Sequence, residues 1–150
     1  MDTPNDPKRQ LLRHALATVA YRGSKACRDA PDGFADFRAS ESSRTPVQIL
    51  AHIGDLFGWA LSLARGKQAW HEAPPLPWDQ EIQRFSRTLA EFDAYLASDL
   101  PMHAEVEGLL QAPVADALTH IGQIAMLRRI AGAAIRPENF FRAQIAAGRL

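Results

Sequence analysis

Three polar residues of one apolar segment could hold a metal ion, because their spacing puts them on one side of a helix. In DALTHIGQ, Asp116, His120 and Gln123 lie four and then three residues apart, and side chains at these separations lie one above another on a helix. No Lys, Arg or Glu, the usual residues of a solvent face, occurs between Val114 and Leu127. We therefore expect this polar stripe to face inward.

A second apolar segment carries the same combination of residue types. In AHIGDLFGW, His52 and Asp55 lie three residues apart among Ile, Leu and Phe. If the two helices are neighbours, His52, Asp116 and His120 converge as two imidazoles and a carboxylate. That donor set suits Zn, Fe, Ni or Mn and leaves coordination positions open for water or substrate. Asp55 is expected to serve beside it as an acid, a base or a group that orients a ligand.

The same residues also fit an arrangement without a metal. A single histidine on an apolar helix is more often a hydrogen-bonded core residue than a ligand. Asp116 follows Pro113 within one turn, where the helix dipole alone favours a carboxylate. Asp116 would then simply hold His120 in one tautomer. Both interpretations stay open at the level of sequence.

The other chemistry-bearing residues lack partners at a catalytic spacing. Cys27 stands beside Arg28, a setting that favours a lowered thiol pKa, but no base lies near it in the sequence. The pair Trp70-His71, directly before a proline-rich connector, indicates aromatic packing. The sequence contains no GxSxG, CxxC, HExxH or phosphate-binding glycine loop.

Composition indicates a single globular domain over residues 1–150. The 17 basic and 17 acidic residues cancel, so attraction to nucleic acid has no electrostatic source. We expect a small-molecule substrate and no nucleic-acid partner.

The single cysteine and an N-terminal segment without an apolar core indicate a cytoplasmic protein. Charged residues interrupt the apolar segments, so no membrane span is expected.

Apolar periodicity predicts four long helices and no strands. Lys8, Arg9 and Arg13 of the first helix are expected on its solvent side. The fold class is therefore all-α, a four-helix bundle with a short C-terminal helix, in which inward side chains of neighbouring helices build metal sites. The expected helices run from about Pro7 to Arg28, Pro46 to Gly66, Trp78 to Ser98, Pro113 to Ala131 and, for the short one, Glu138 to Ala147.

Residues 29–44 are rich in Pro, Gly, Ser and Asp and are predicted to form a loop. Connections of this length inside a compact domain are often functional. With Arg28, Arg38 and Arg44 in or beside it, the loop is expected to cover the pocket and meet an anionic substrate.

Both polar segments resemble signatures of the DinB/YfiT-like superfamily. HIGQIAMLRR, residues 120–129, resembles its final-helix signature, and LAHIGDLFGW, residues 50–59, resembles its second-helix signature. The order and spacing of the helices match over nearly the whole chain. The resemblance implies a four-helix bundle of up-down-down-up topology, frequently a homodimer, with a metal bound by three histidines. The dimer seam would be the apolar stripe of the third helix or the C-terminal residues Phe140, Phe141 and Ile145.

Two of those histidines correspond to His52 and His120, and Asp116 stands where the third would be. Because aspartate is a competent ligand, we expect the metal to be retained. The resemblance implies a divalent-metal-dependent enzyme, a hydrolase or a transferase or isomerase that uses a low-molecular-weight thiol such as mycothiol, bacillithiol or glutathione. Gln123 would hydrogen-bond a ligand or the substrate. The alternative is a non-catalytic small-molecule binding or interaction module with a degenerate metal site.

Overall fold

The computed structural model describes residues 3–150, and within that range the protein is all-α, without strands. Short 3-10 turns occur at Phe34–Asp36 and Phe140–Arg142. Four long helices account for most of the rest. They are α1, Pro7–Cys27; α2, Pro46–Ala64; α3, Trp78–Ala97; and α4, which has three continuous parts, the α-helical Val106–Leu109, the π-helical Leu110–Val114 and the α-helical Ala115–Ile130.

The first residues of α2 determine where its polar side chains lie. Thr45 and Gln48 form a capping box, in which Thr45 Oγ1 accepts the Gln48 N–H at 3.3 Å and Gln48 Oε1 accepts the Thr45 N–H at 2.9 Å. Pro46 occupies the first turn, where its missing N–H costs nothing. His52 follows about two turns later on the same rigid helix.

The helices pack around one apolar core. Both α1 and α2 pack against α3 and α4, so α4 lies beside α2 as a two-helix metal site requires. The most apolar window of α2 would suffice by length and composition to cross a membrane, yet 67% of it is buried inside the structure, as in a core helix. Phe85, Leu89, Phe92 and Leu96 of α3 lie in the same core. The α3 stripe is therefore not a dimer seam, because it already packs within a single chain.

The fourth helix begins earlier than the sequence predicts. It starts at Val106, and Pro113 lies inside the π-helical part rather than at the first position. Proline lacks an N–H and crowds the carbonyl four residues before it, and the wider π turn relieves both constraints. Asp116 therefore lies about three turns inside a continuous helix. Attraction to a helix N-terminus no longer explains why a carboxylate stands there.

The predicted C-terminal helix is reduced to a single 3-10 turn. Glu138 accepts hydrogen bonds from Tyr21 Oη at 2.8 Å and Lys25 Nζ at 2.6 Å. Phe140 packs edge-on against the Tyr21 ring, whereas the neighbouring Phe141 is 96% exposed. The segment is therefore held against α1 by the individual side chains of Glu138 and Phe140.

Two of the three basic residues expected on the solvent side of α1 are largely buried. Arg9 is fully buried and donates to two backbone carbonyls beyond the end of α3, at 3.0 and 2.6 Å. Arg13 forms a two-bond ion pair with Asp93 of α3, at 2.8 and 3.0 Å. Lys8 lies on the surface as expected. The apolar periodicity of α1 could not show which of these basic residues are buried, because the partners of Arg9 and Arg13 lie on α3 and on the chain just beyond it.

Candidate metal centre

His52 of α2 and Asp116 and His120 of α4 lie together. The two imidazole rings are nearly perpendicular, with their centroids 4.8 Å apart. Asp116 Oδ2 lies 3.6 Å from His52 Nε2 and 3.5 Å from His120 Nε2. One possible ligand atom from each residue lies within 4.8 Å of the others. The predicted convergence of His52, Asp116 and His120 is confirmed.

Two of the three separations between these atoms fit a divalent ion, and the third, between the two imidazoles, lies within 4.8 Å. Bonds from a metal to imidazole nitrogen or carboxylate oxygen are about 2.0–2.2 Å long, which puts two ligands of a tetrahedral site about 3.3–3.6 Å apart. The distances from Asp116 Oδ2 to the two Nε2 atoms, 3.6 and 3.5 Å, match that value. The side chain of Asp116 is 46% exposed, against 21% for His52 and 14% for His120. With Gln123 also exposed, the stripe lies at the edge of the core, where solvent reaches it, and does not face inward as the sequence predicts.

Gln123 determines which nitrogen of His120 is available to a metal. His120 Nδ1 lies 2.8 Å from Gln123 Oε1. An amide oxygen only accepts hydrogen bonds, so this contact favours the tautomer in which Nδ1 carries the proton. Nε2, which faces Asp116, then keeps its lone pair, as a metal ligand must. Gln123 is thus a positioning residue for His120.

Trp70 is a neighbour of the site whose position the sequence does not reveal. Its ring packs edge-on against His52 at 5.7 Å and against Trp59 at 6.0 Å, so the expected aromatic role is confirmed. The Ala69 N–H donates to Ser62 Oγ of α2 at 3.0 Å, which returns the chain to that helix. No periodic signal links Trp70 to His52, because the connection depends on a chain reversal beyond the end of α2.

Asp55 has its partner on a different helix. Its carboxylate forms an ion pair with Arg84 of α3, whose guanidinium also lies near Glu81. Asp55 is 5% exposed and Glu81 1%, and burial raises the pKa of Glu81. Although Asp55 follows His52 by less than one turn, it is directed to α3 while His52 is directed to α4. The structure gives Asp55 an interhelical ion pair in place of the expected partner at the metal site.

A pocket of about 530 Å³ opens beside the two histidines. It combines imidazole and amide groups with apolar side chains and one arginine. Of the three arginines expected near it, Arg44 lines the pocket, Arg38 donates to the Ser43 carbonyl at 2.8 Å, and Arg28 lines a separate cavity. The lining residues are Ser43, Arg44, Ile49, His52, His120, Gln123, Met126 and Leu127.

Arg128 of the HIGQIAMLRR segment has a structural role. Its guanidinium donates to the carbonyls of Ala26 at 3.0 Å and Arg28 at 2.8 Å, and to that of Ala133 at 2.9 Å. The last carbonyls of a helix have no partner within it. Arg128 supplies that partner to the end of α1 and so ties α4 to the beginning of residues 29–44.

Cys27 is not poised for nucleophilic chemistry. The thiol is only 4% exposed, and burial raises its pKa to about 12, against the smaller lowering caused by Arg128. The lowered pKa expected from the neighbouring Arg28 is therefore wrong, because desolvation of the thiolate outweighs nearby positive charge.

We expect Cys27 of the native protein to resist the thiol reagent DTNB at pH 8. The thiol is protonated and buried, so labelling requires unfolding. The measurement is the absorbance of released thionitrobenzoate in native buffer and in guanidinium chloride, with free cysteine as the reactive standard. Complete labelling of the native protein at the rate of free cysteine would contradict this assignment.

Comparisons with protein families, curated proteins and solved structures found no significant match to the chain.

Proposed function

We propose that the protein is a divalent-metal-dependent enzyme of the DinB-like type, with its four helices arranged as an up-down-down-up bundle. The ion, Zn, Ni, Fe or Mn, binds His52, Asp116 and His120. The observation that carries the proposal is the convergence of three ligand atoms within 4.8 Å beside a pocket of about 530 Å³. The resemblance of residues 50–59 and 120–129 to the superfamily signatures supports it, with Asp116 in place of the third histidine.

Each side chain of the site has a distinct task. His52 and His120 offer neutral nitrogens, and Asp116 supplies the negative charge that partly balances a divalent cation. Gln123 keeps the His120 proton on Nδ1, away from the ligand position. A bound divalent ion supplies Lewis acidity, which polarises a substrate oxygen or lowers the pKa of a coordinated water or thiol. The pocket brings a small substrate to that position for hydrolysis, isomerisation or thiol-dependent transfer.

Metal uptake tests the proposal directly. Protein stripped with a chelator is expected to bind about one divalent ion per chain, because the site has one set of three donors. An ion at a hundred times its dissociation constant contributes about 2.7 kcal/mol, which raises the melting temperature by about 5–10 °C. Elemental analysis and thermal melting measure both effects. If excess Zn, Ni, Fe and Mn all leave the melting temperature unchanged, the proposal is refuted.

One observation favours a second candidate, a small-molecule binding module without a metal. His52, His120 and Gln123 line the pocket together with apolar side chains, so their polar atoms can hydrogen-bond a small molecule in the absence of an ion. In that case added metal leaves the melting temperature unchanged, whereas a pocket ligand raises it in the presence of chelator. The two candidates therefore differ in the same assay.

A further inference from the structure

We propose that the pocket beside the metal centre binds a small carboxylic acid with an apolar body, whose carboxylate is held by Arg44. The inference deepens the proposed function, on which it rests, by naming the substrate class of the same site. It is drawn from the charges and apolar side chains that line the pocket and from the way the chain before α2 is anchored.

The charges that line the pocket favour an anion. Arg44 is the one permanently charged side chain among the residues that line the pocket, and no carboxylate of residues 3–150 is among them. Arg44 is exposed, and a guanidinium presents a planar fork that matches a carboxylate. A divalent ion with two neutral histidines and Asp116 leaves the centre with a net positive charge. Both groups therefore favour an anion over a cation.

The apolar side chains that line the pocket favour a ligand with an apolar body. Ile49 of α2 and Met126 and Leu127 of α4 line the pocket together with the two histidines. Met126 is 56% exposed, although a large apolar side chain gains by burial, and its flexible thioether can adapt to a partner. A volume of about 530 Å³ lies within the range of small-molecule sites, about 300–1,000 Å³. A small molecule that is apolar apart from its carboxylate fits this lining.

The backbone around Arg44 is fixed before any ligand binds. Ser43 is held from one side, because Arg38 donates to its carbonyl at 2.8 Å and its Oγ accepts the Ala39 and Ser40 N–H groups at 3.1 Å. Thr45 is held from the other side by the capping box of α2. Arg44 thus projects from a short anchored stretch, which reduces the entropy lost when it binds a carboxylate.

The test compares a carboxylate with its uncharged amide. Hydrocinnamate and hydrocinnamamide share one apolar body and differ in charge. Binding is measured by calorimetric titration. The protein is first treated with a chelator, so that the carboxylate cannot bind a metal ion directly. Hydrocinnamate is expected to bind about tenfold more tightly than the amide, the effect of one charge-assisted contact. Arg44→Gln is expected to remove the preference, and Arg44→Lys to keep part of it, because lysine keeps the charge without the planar fork.

Arg87→Gln is the matched control. Arg87 is an exposed arginine of α3 that pairs with Glu91 and does not line the pocket, so this variant is expected to keep the wild-type preference. Equal binding of carboxylate and amide, no binding of the carboxylate, or a preference that survives in Arg44→Gln would each overturn the inference. Metal uptake of the same samples is measured separately. If the protein takes up metal but shows no Arg44-dependent preference for the carboxylate, this inference alone is refuted. If it shows the preference but takes up no metal, the proposed metal dependence is refuted and the pocket remains an anion site.

Discussion

Replacement of His120 by alanine is expected to abolish metal uptake. The variant loses one of only three protein ligands, and even groups that merely orient a ligand contribute about 10–100-fold to affinity. We therefore expect the dissociation constant to rise by more than about a hundredfold, with loss of the metal-induced increase in melting temperature. His52→Ala is expected to behave alike, because the two imidazoles face the same carboxylate oxygen at 3.5 and 3.6 Å. Calorimetric titration with Zn and Ni measures the effect.

His14→Ala is the control for the histidine variants. His14 lies exposed on α1, outside the group of possible ligands, so its loss should leave metal uptake unchanged. If His120→Ala or His52→Ala still binds one ion with wild-type affinity, the ion lies elsewhere and the proposed centre is wrong.

Variants of Asp116 test whether its carboxylate binds the metal or whether the site no longer binds one. Asp116→Asn removes the negative charge while keeping the shape of the side chain, so metal affinity should fall. Asp116→His replaces the carboxylate with a third imidazole, which is also a metal ligand, and should retain uptake. Metal binding by Asp116→Asn equal to that of the wild type would show that the carboxylate is not a ligand.

The second large effect is expected from Asp55→Ala, which should lower the free energy of unfolding by about 3 kcal/mol. Asp55 is 5% exposed and paired with Arg84, and its removal leaves a largely buried guanidinium with Glu81 and the Ala51 carbonyl as its partners. A loss of that size corresponds to a fall in melting temperature of about 6–12 °C. Urea denaturation and thermal melting measure it. Glu81 lies 3.4 Å from Arg84 and limits the loss.

An ion pair on the surface of the same helix provides the control. Glu91 pairs with Arg87 at 3.8 Å, and both side chains are more than half exposed, so Glu91→Ala should change stability by less than about 1 kcal/mol. An Asp55→Ala protein with wild-type stability and an altered metal affinity would contradict the structural role of Asp55. It would instead support the acid or base role that its spacing from His52 suggests.

The sequence by itself determined the features that depend on residues within one or two turns. Thr45, Pro46 and Gln48 predict the start of α2 because a capping box closes within four residues. The apolar stripes predict the four long helices, although neither the start of α4 nor the 3-10 turn in place of a C-terminal helix follows from them. The spacing of Asp116 and His120 places both side chains on one face of α4 whatever lies opposite, because the rise and turn of a helix are constant.

Only the tertiary structure decided which face meets which helix. His52 and Asp55 lie less than one turn apart, yet one contacts α4 and the other α3, since side chains separated by three positions still diverge enough to reach different neighbours. Arg9 and Arg13 are largely buried for the same reason, with partners supplied from elsewhere in the chain. Pairings between distant residues depend on the packing of whole helices, which local spacing does not encode. The three donor atoms of the metal centre therefore become visible together only when α2 lies against α4.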